Sequence, residues 1–287
     1  MESVITYWQQ LPHHISPNIF TLGAFQLRYY SLMYLTAFGL TYILISSRLK
    51  SKDFDYSLET IQDFFIWGIL GLIIGARLGY VLFYNAGYYL RRPLAIILPL
   101  DFSQGIRFVG ISGMSYHGGA LGIIIASLIF CHKRGIDFWD FADLFCPAFP
   151  LGYTFGRIGN FINGELYGRV TTVPWGMYFP LSPSRELRHP SQLYEAFFEG
   201  IVLFVILWAL RKKRPFAGFH LALYIIGYGI SRFFIEFYRE PDAQLGFIWG
   251  SLSMGQILCM AMIISGAGIM IVKWPQRIKI DHKSTRI

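Results

Sequence analysis

Charge is what this sequence has least of: only 15% of its 287 residues are charged, while 54% are hydrophobic. A soluble domain carries about 25% charged residues, so a chain built to face water on every side is excluded. Cysteine is nearly absent. Cys131, Cys146 and Cys259 are the only three, in no metal-ligand spacing, which excludes a disulfide framework and a Cys/His metal site. Each lies in or at the end of an apolar stretch, where buried packing is the expected role. Internal repeats are missing, and so is a cleavable leader pattern. Residues 1–26 have no Lys or Arg ahead of a short apolar core and no small-residue cleavage site, so the first apolar run is expected to persist in the mature protein.

What is present is a series of apolar runs near the ~20 residues needed to cross a ~30 Å hydrocarbon core. The expected spans are 29–47, 61–84, 117–131, 141–161, 195–210, 218–237 and 248–272. The third is short, and Pro147 and Pro150 interrupt the fourth. Residues 93–100 are too few to cross, and the apolar stretch around 94–100 suits an interfacial position. The fold class is therefore an all-α polytopic membrane protein of about seven transmembrane helices, forming one domain over 1–287. Residues 85–114 and 164–194 are expected to be outer-face segments, as arms or a small cap.

Orientation follows from Lys and Arg, which cytoplasmic loops retain. The regions after spans one, three, five and seven carry fourteen of the 25 basic residues, against eight on the opposite side and three within spans. The N-terminus is then outside and the C-terminus cytoplasmic. Every Lys falls on the inner side, and the remaining basic residues are all Arg, whose planar fork suits phosphate or carboxylate. The net charge of +8 is accounted for by inner loops facing anionic lipid, and no nucleic-acid partner is implied.

Polar groups inside apolar runs carry the functional signal. An Arg at the centre of a membrane helix costs about 2.5–3.5 kcal/mol on insertion scales, so Arg77, Arg157 and Arg232 are expected to face the protein interior, paired or functional. In this topology span six brings Tyr228, Arg232, Glu236 and Arg239 to the outer side, and span four brings Arg157, Asn160, Asn163 and Glu165. Span two places Arg77 there, and spans one and three start there with Tyr29, Tyr30 and His117. One pocket near the outer leaflet is the simplest reading. Tyr228, Arg232 and Glu236 share a helix face at i, i+4 and i+8, and an Arg232–Glu236 pair is compatible with either a structural or a ligand-holding role. An imidazole titrating near 6.5 suits deprotonation of a thiol near 8.5, which makes His117 a candidate base. His189 heads span five before Pro190 and reads as a turn and cap residue.

The run Gly156-Arg157-Ile158-Gly159-Asn160-Phe161-Ile162-Asn163-Gly164-Glu165-Leu166-Tyr167-Gly168-Arg169 resembles the signature of the prolipoprotein diacylglyceryl transferase family. The stretches from Tyr29 to Tyr34 and from Gly75 to Tyr80, the His117 motif, His189 to Glu195, and Gly227 through Asp242 resemble that family in its order. Departures are Tyr29 where Trp is common, Ser31 and Ser112 where Gly is common, and Tyr116 where Phe is common; residues 170–188 also form a shorter segment than in some members. The resemblance implies an enzyme of the bacterial inner membrane, with its active site toward the periplasm. It implies phosphatidylglycerol and the lipobox cysteine of prolipoprotein signal peptides as substrates, and glycerol 1-phosphate and a thioether as products. Arg157 is then expected to hold the lipid phosphate, Arg232 to be the second essential guanidinium and His117 the base. Tyr30, Asn160, Glu165, Gly168, Tyr228 and Glu236 match family positions of functional weight, and Arg77 is a further candidate for the lipid. Neither a metal nor a cofactor is required. An anion transporter and an intramembrane hydrolase remain as other classes; a thiol-peptide assay separates them.

Overall fold

The computed structural model describes residues 2–22, 25–51, 54–84, 86–97, 100–101, 107–108, 113–240, 247–249 and 252–276. Ser112, Pro241, Asp242, Lys52, much of 98–112 and the basic tail Arg277, Lys279, Lys283 and Arg286 lie outside the described residues. In chain order the elements are α1 (Glu2–His14), β1 (Asn18–Leu22), β2 (Phe25–Arg28), α2 (Tyr29–Lys50), α3 (Leu58–Tyr84), α4 (Ala86–Arg91) and a 3-10 turn (Pro93–Ile96). Next come β3 (Leu100–Asp101), β4 (Arg107–Phe108), α5 (Tyr116–Arg134), α6 (Phe138–Phe145), α7 (Phe149–Asn163) and α8 (Ser191–Glu195). A π-helical turn (Ala196–Val202) leads into α9 (Leu203–Leu210), then α10 (Phe219–Ile235), β5 (Phe247–Trp249), β6 (Leu252–Ser253) and α11 (Met254–Lys273).

The chain is mostly helical. Among the described residues, four helical segments are long and apolar enough to cross a membrane: Tyr29–Lys50, Leu58–Tyr84, Ser191–Leu210 and Met254–Lys273, with Phe219–Ile235 a shorter apolar helix. Their outward apolar side chains, such as Leu35, Ile66, Val205 and Ile264, are exposed, as lipid-facing positions require.

Two details differ from the sequence expectation, and the interruption expected at Pro147 is a full break. The expected span 141–161 is two helices, α6 and α7, separated at Cys146-Pro147-Ala148, because Pro147 cannot continue a helical ladder. β5 and β6 pair antiparallel where the sequence expects the start of the last helix. There Ser253 accepts from Gln256 N while the Gln256 side chain returns to the Ser253 backbone, so this capping box sets the start of α11 at Met254. The structure is also not purely α, since among the described residues three two-stranded antiparallel sheets pair β1 with β2, β3 with β4 and β5 with β6.

The chain divides into two compact units, Phe54–Phe141 and the remainder. Within Phe54–Phe141, α3 and α5 meet along glycines four residues apart. A Cβ on Gly122 would lie 2.1 Å from Gly71 O, and one on Gly75 would lie 2.4 Å from Gly118 O. Backbone touches backbone along this seam, the small-residue contact by which membrane helices associate. Gly122→Val is therefore expected to destabilise this unit by about 1–3 kcal/mol or more, read as a lower unfolding temperature in detergent. Gly87→Ala, where a Cβ meets nothing within 4 Å, is the control and leaves that temperature unchanged.

Within the larger unit, α2 packs on α7 and α10 on α11. One end is held by a buried polar cluster. Arg48, only 2% exposed, donates to Asp143 O and Leu144 O at 2.6 Å each. The Asp143 carboxylate accepts from Gly218 N, Phe219 N and Leu221 N at 2.9, 3.2 and 3.0 Å, which satisfies the otherwise orphaned first donors of α10. Arg48 thus does more than fix topology. All three cysteines are buried, as expected.

Candidate active site

The middle of α7, the α8–π junction and the end of α10 bring three guanidiniums and three carboxylates together. Arg157 on α7 pairs through Nε with Glu195 Oε2 at 2.7 Å, and its guanidinium lies 4.8 Å from the Tyr153 ring centre. Arg232 on α10 meets Glu195 Oε1 at 3.1 Å, Glu199 Oε1 at 3.7 Å and Glu236 Oε2 at 3.3 Å. Arg239, just beyond α10, meets Glu195 Oε1 at 3.2 Å and Glu236 Oε2 at 3.6 Å. Burial is deep: the Glu195 and Glu199 side chains are fully excluded from solvent, and those of the three arginines are 12–16% exposed. Charges removed from water this far are costly unless mutually paired, so the network is built as one unit.

Neighbouring side chains frame it. Asn160 Oδ1 accepts from Arg157 Nη1 at 3.4 Å, and Asn160 Nδ2 donates to Glu165 Oε1 at 2.8 Å. Asn163 Nδ2 donates to the same Glu165 oxygen at 3.2 Å. Just after Glu165, Leu166 holds a left-handed φ of 57°, and its carbonyl accepts from Ser191 Oγ. A non-glycine residue in that region is strained and persists because its surroundings fix it. The Tyr153 hydroxyl donates to Glu199, and its ring meets Tyr228 edge-on with centres 5.8 Å apart. Tyr30 packs over Gly159 and shares a hydroxyl contact of 3.0 Å with Tyr34. Glu236 also accepts from Ser253 Oγ at 3.1 Å.

Gly168 stands beside this network through its backbone. It forms an antiparallel bridge with Arg239, and Arg169 Nε donates to Arg239 O at 2.7 Å. His189 lies here too, with Nδ1 3.1 Å from the Tyr194 hydroxyl and its ring edge-on to Tyr238. Burial pushes its imidazole below the usual value, which favours the neutral ring.

Residues 17–272 match the model of the prolipoprotein diacylglyceryl transferase family. This chain belongs to that family. It is 52% identical over 267 residues to the phosphatidylglycerol–prolipoprotein diacylglyceryl transferase of Chlorobaculum tepidum, covering 93% of this chain and 92% of the relative. The like-named protein of Wolinella succinogenes is 48% identical, with coverages of 90% and 93%, and that of Treponema denticola is 42% identical, with 97% and 98%.

Among the family-matched positions, the larger unit gathers Arg157, Arg232, Glu236, Asn160, Glu165 and Tyr228, with Tyr30 on the α7 surface nearby and Gly168 joined by backbone. His117 and Arg77 belong to the other unit. His117 is exposed in the first turn of α5, a helix capped by Ser115 accepting from Gly118 N. Arg77 donates to Ile96 O, Ala95 O and Gly113 O and lies 5.0 Å from the Tyr89 ring centre. Glu195, Glu199 and Tyr153 were not singled out by sequence. The available signal was Glu199, a carboxylate within an apolar run and four residues from Glu195.

Proposed function

We propose that this chain transfers the diacylglyceryl group of phosphatidylglycerol to the cysteine thiol of prolipoproteins, the first step of bacterial lipoprotein maturation. Membership of the family supports the reaction. The observation that carries the site assignment is the burial of Arg157 and Arg232 on opposite oxygens of one carboxylate. The lipobox cysteine sulfur attacks the glycerol carbon bearing the phosphate ester. A carbon–sulfur bond forms, the carbon–oxygen bond breaks, and the bonding pair leaves with glycerol 1-phosphate. The thiol proton passes to a base, for which His117 is the candidate.

As the ester bond breaks, a phosphodiester monoanion becomes a monoester approaching two negative charges. Guanidiniums already in place within a low-dielectric site stabilise that growing charge without reorganising. Arg157 is assigned to the phosphate and Arg232 to the second donor position. Asn160 and Glu165 orient Arg157, Glu236 orients Arg232, and Tyr228 and Tyr30 line the same region. Gly168 acts through its backbone. Arg77, whose donors are directed to carbonyl oxygens, is assigned to holding residues 93–97 and 113 rather than to the lipid.

The reading takes 1–287 as one transmembrane enzyme of seven spans in the inner membrane, with 85–114 and 164–194 on the periplasmic side together with the active site. The N-terminus is outside and the C-terminus cytoplasmic, supported by the Lys and Arg asymmetry. Phosphatidylglycerol, surrounding membrane lipid and prolipoprotein signal peptides are the partners; nucleic acid is not. The test incubates purified protein in phosphatidylglycerol micelles with a lipobox peptide carrying Cys or Ser. Thioether-linked diacylglyceryl on the Cys peptide alone, with glycerol phosphate released, is expected. Folded, lipid-binding protein that leaves the Cys peptide unmodified would sink the reading and bring an anion transporter forward.

A further inference from the structure

Glu195 is the junction of the buried network. One carboxylate meets guanidiniums from α7, α10 and the turn after α10, at 2.7, 3.1 and 3.2 Å. Carboxylate oxygens offer about four lone-pair positions, enough for three such partners. Yet both Glu195 oxygens, Arg232 Nη1 and Arg239 Nε are buried without an aligned hydrogen bond among the described residues. Arg232 and Arg239 are therefore held to Glu195 by charge and proximity, while Arg157 is also tied to Asn160.

The backbone is shaped for this contact. Directly after Glu195 the helix widens into the π-helical turn Ala196–Val202, a rare geometry found mostly at functional sites. Thr154 Oγ1 on α7 lies 3.3 Å from Ala196 O. The missing side chain of Gly200 lets the turn close on α7, since a Cβ there would lie 2.1 Å from Thr154 Oγ1. Glu195 and Glu199 are thereby pressed onto the arginines of neighbouring helices.

We propose that Glu195 is a positioning residue with a second effect: it is a built-in competitor that weakens the site's hold on phosphate monoesters, so that product leaves. This rests on the assignment of Arg157 and Arg232 to the lipid phosphate. The substrate diester carries one negative charge, and the product monoester approaches two near pH 7. Three guanidiniums alone would grip the more highly charged product more tightly than the substrate, and turnover would stall at release. Repulsion from a fixed carboxylate scales with the charge of the incoming anion, so Glu195 penalises the monoester more than the diester. It thereby shifts the preference of the site back toward substrate.

The experiment compares two soluble inhibitors of the full-length enzyme. One is glycerol 1-phosphate, a monoester; the other is glycerophosphoglycerol, the deacylated diester headgroup. In wild type the diester is expected to inhibit at least as strongly as the monoester. In Glu195→Gln the monoester is expected to inhibit roughly tenfold more strongly, and the preference reverses. The same variant is expected to show a lower kcat without a rise in KM for phosphatidylglycerol. Glu195→Asp, which keeps the charge on a shorter arm, restores the wild-type inhibitor preference while kcat stays low. A merely structural role would lower the folded fraction and kcat and leave the inhibitor ratio unmoved. That result overturns the proposal, as does a wild type that already prefers the monoester tenfold. The wild-type ratio decides the matter if Glu195→Gln fails to fold. Arg157→Ala run in parallel separates the two readings: full activity there defeats the phosphate assignment itself, whereas an inactive variant with an unmoved Glu195→Gln ratio defeats only this inference.

Discussion

Arg157→Ala and Arg232→Ala are each expected to lower diacylglyceryl transfer by roughly 10²–10³-fold or more, the cost of deleting one preorganised donor to a developing oxyanion. Two effects add. The phosphate loses a charge-assisted partner, and Glu195 loses part of the positive charge that compensates its burial. Breaking a buried pair by removing one partner costs about 3–5 kcal/mol, so the alanine variants are also expected to unfold at lower temperature. Arg157→Lys and Arg232→Lys separate these contributions. Lysine keeps the charge but lacks the planar fork that lets Arg157 meet Glu195 through Nε while Nη1 reaches Asn160. The lysine variants should therefore recover most of the thermal stability and little of the transfer rate. Mass spectrometry of the lipobox peptide and unfolding in detergent give the two readouts. Lysine variants with near wild-type turnover would mean that charge alone suffices and that the fork geometry is immaterial.

The cost of charge in lipid is what makes Arg157 and Arg232 legible in sequence, because a guanidinium in an apolar run needs a reason. The same rule applied to Glu199 would have pointed to the missing half of the network. Glu195 was harder to see, since it falls at the boundary between an outer segment and a span, where a carboxylate is ordinarily unremarkable. The π-helical turn that follows it is also silent in sequence, since no 3.6-residue periodicity announces one. The apolar runs located the helices and Pro147 marked the break between α6 and α7, yet the β5–β6 pairing before Met254 depends on local cap chemistry that mean hydropathy averages away.

The buried network also shows why arginine and carboxylate numbers are balanced at this depth. Arg157, Arg232 and Arg239 face Glu195, Glu199 and Glu236, so the cluster folds without a large uncompensated charge. Gly255 contributes by absence, since a Cβ there would lie 2.5 Å from Glu236 Oε1.

Gly168→Ala is expected to reduce transfer by roughly 10²-fold although the glycine brings no reactive group, because displacing a catalytic constellation by about 1 Å costs that much. A Cβ at residue 168 would lie 2.2 Å from Tyr238 O and 2.9 Å from His189 Cβ. The nearest of these is backbone, which cannot rotate away as a flexible side chain would. Gly168 N donates to His189 O at 2.8 Å, Arg169 N to Tyr238 O at 2.9 Å, and Arg188 Nη1 to Gly168 O at 3.1 Å. These bonds hold the chain around residue 168 against Tyr238 and Arg239, so the added methyl must push Arg239 away from Glu195 and Glu236 or open the bridge. Gly39→Ala on α2, where a Cβ meets nothing within 4 Å, controls for the loss of glycine itself and should keep its activity. If Gly168→Ala transfers diacylglyceryl at the wild-type rate, the backbone bridge is not what positions Arg239, and the guanidinium network alone sets the geometry of the site.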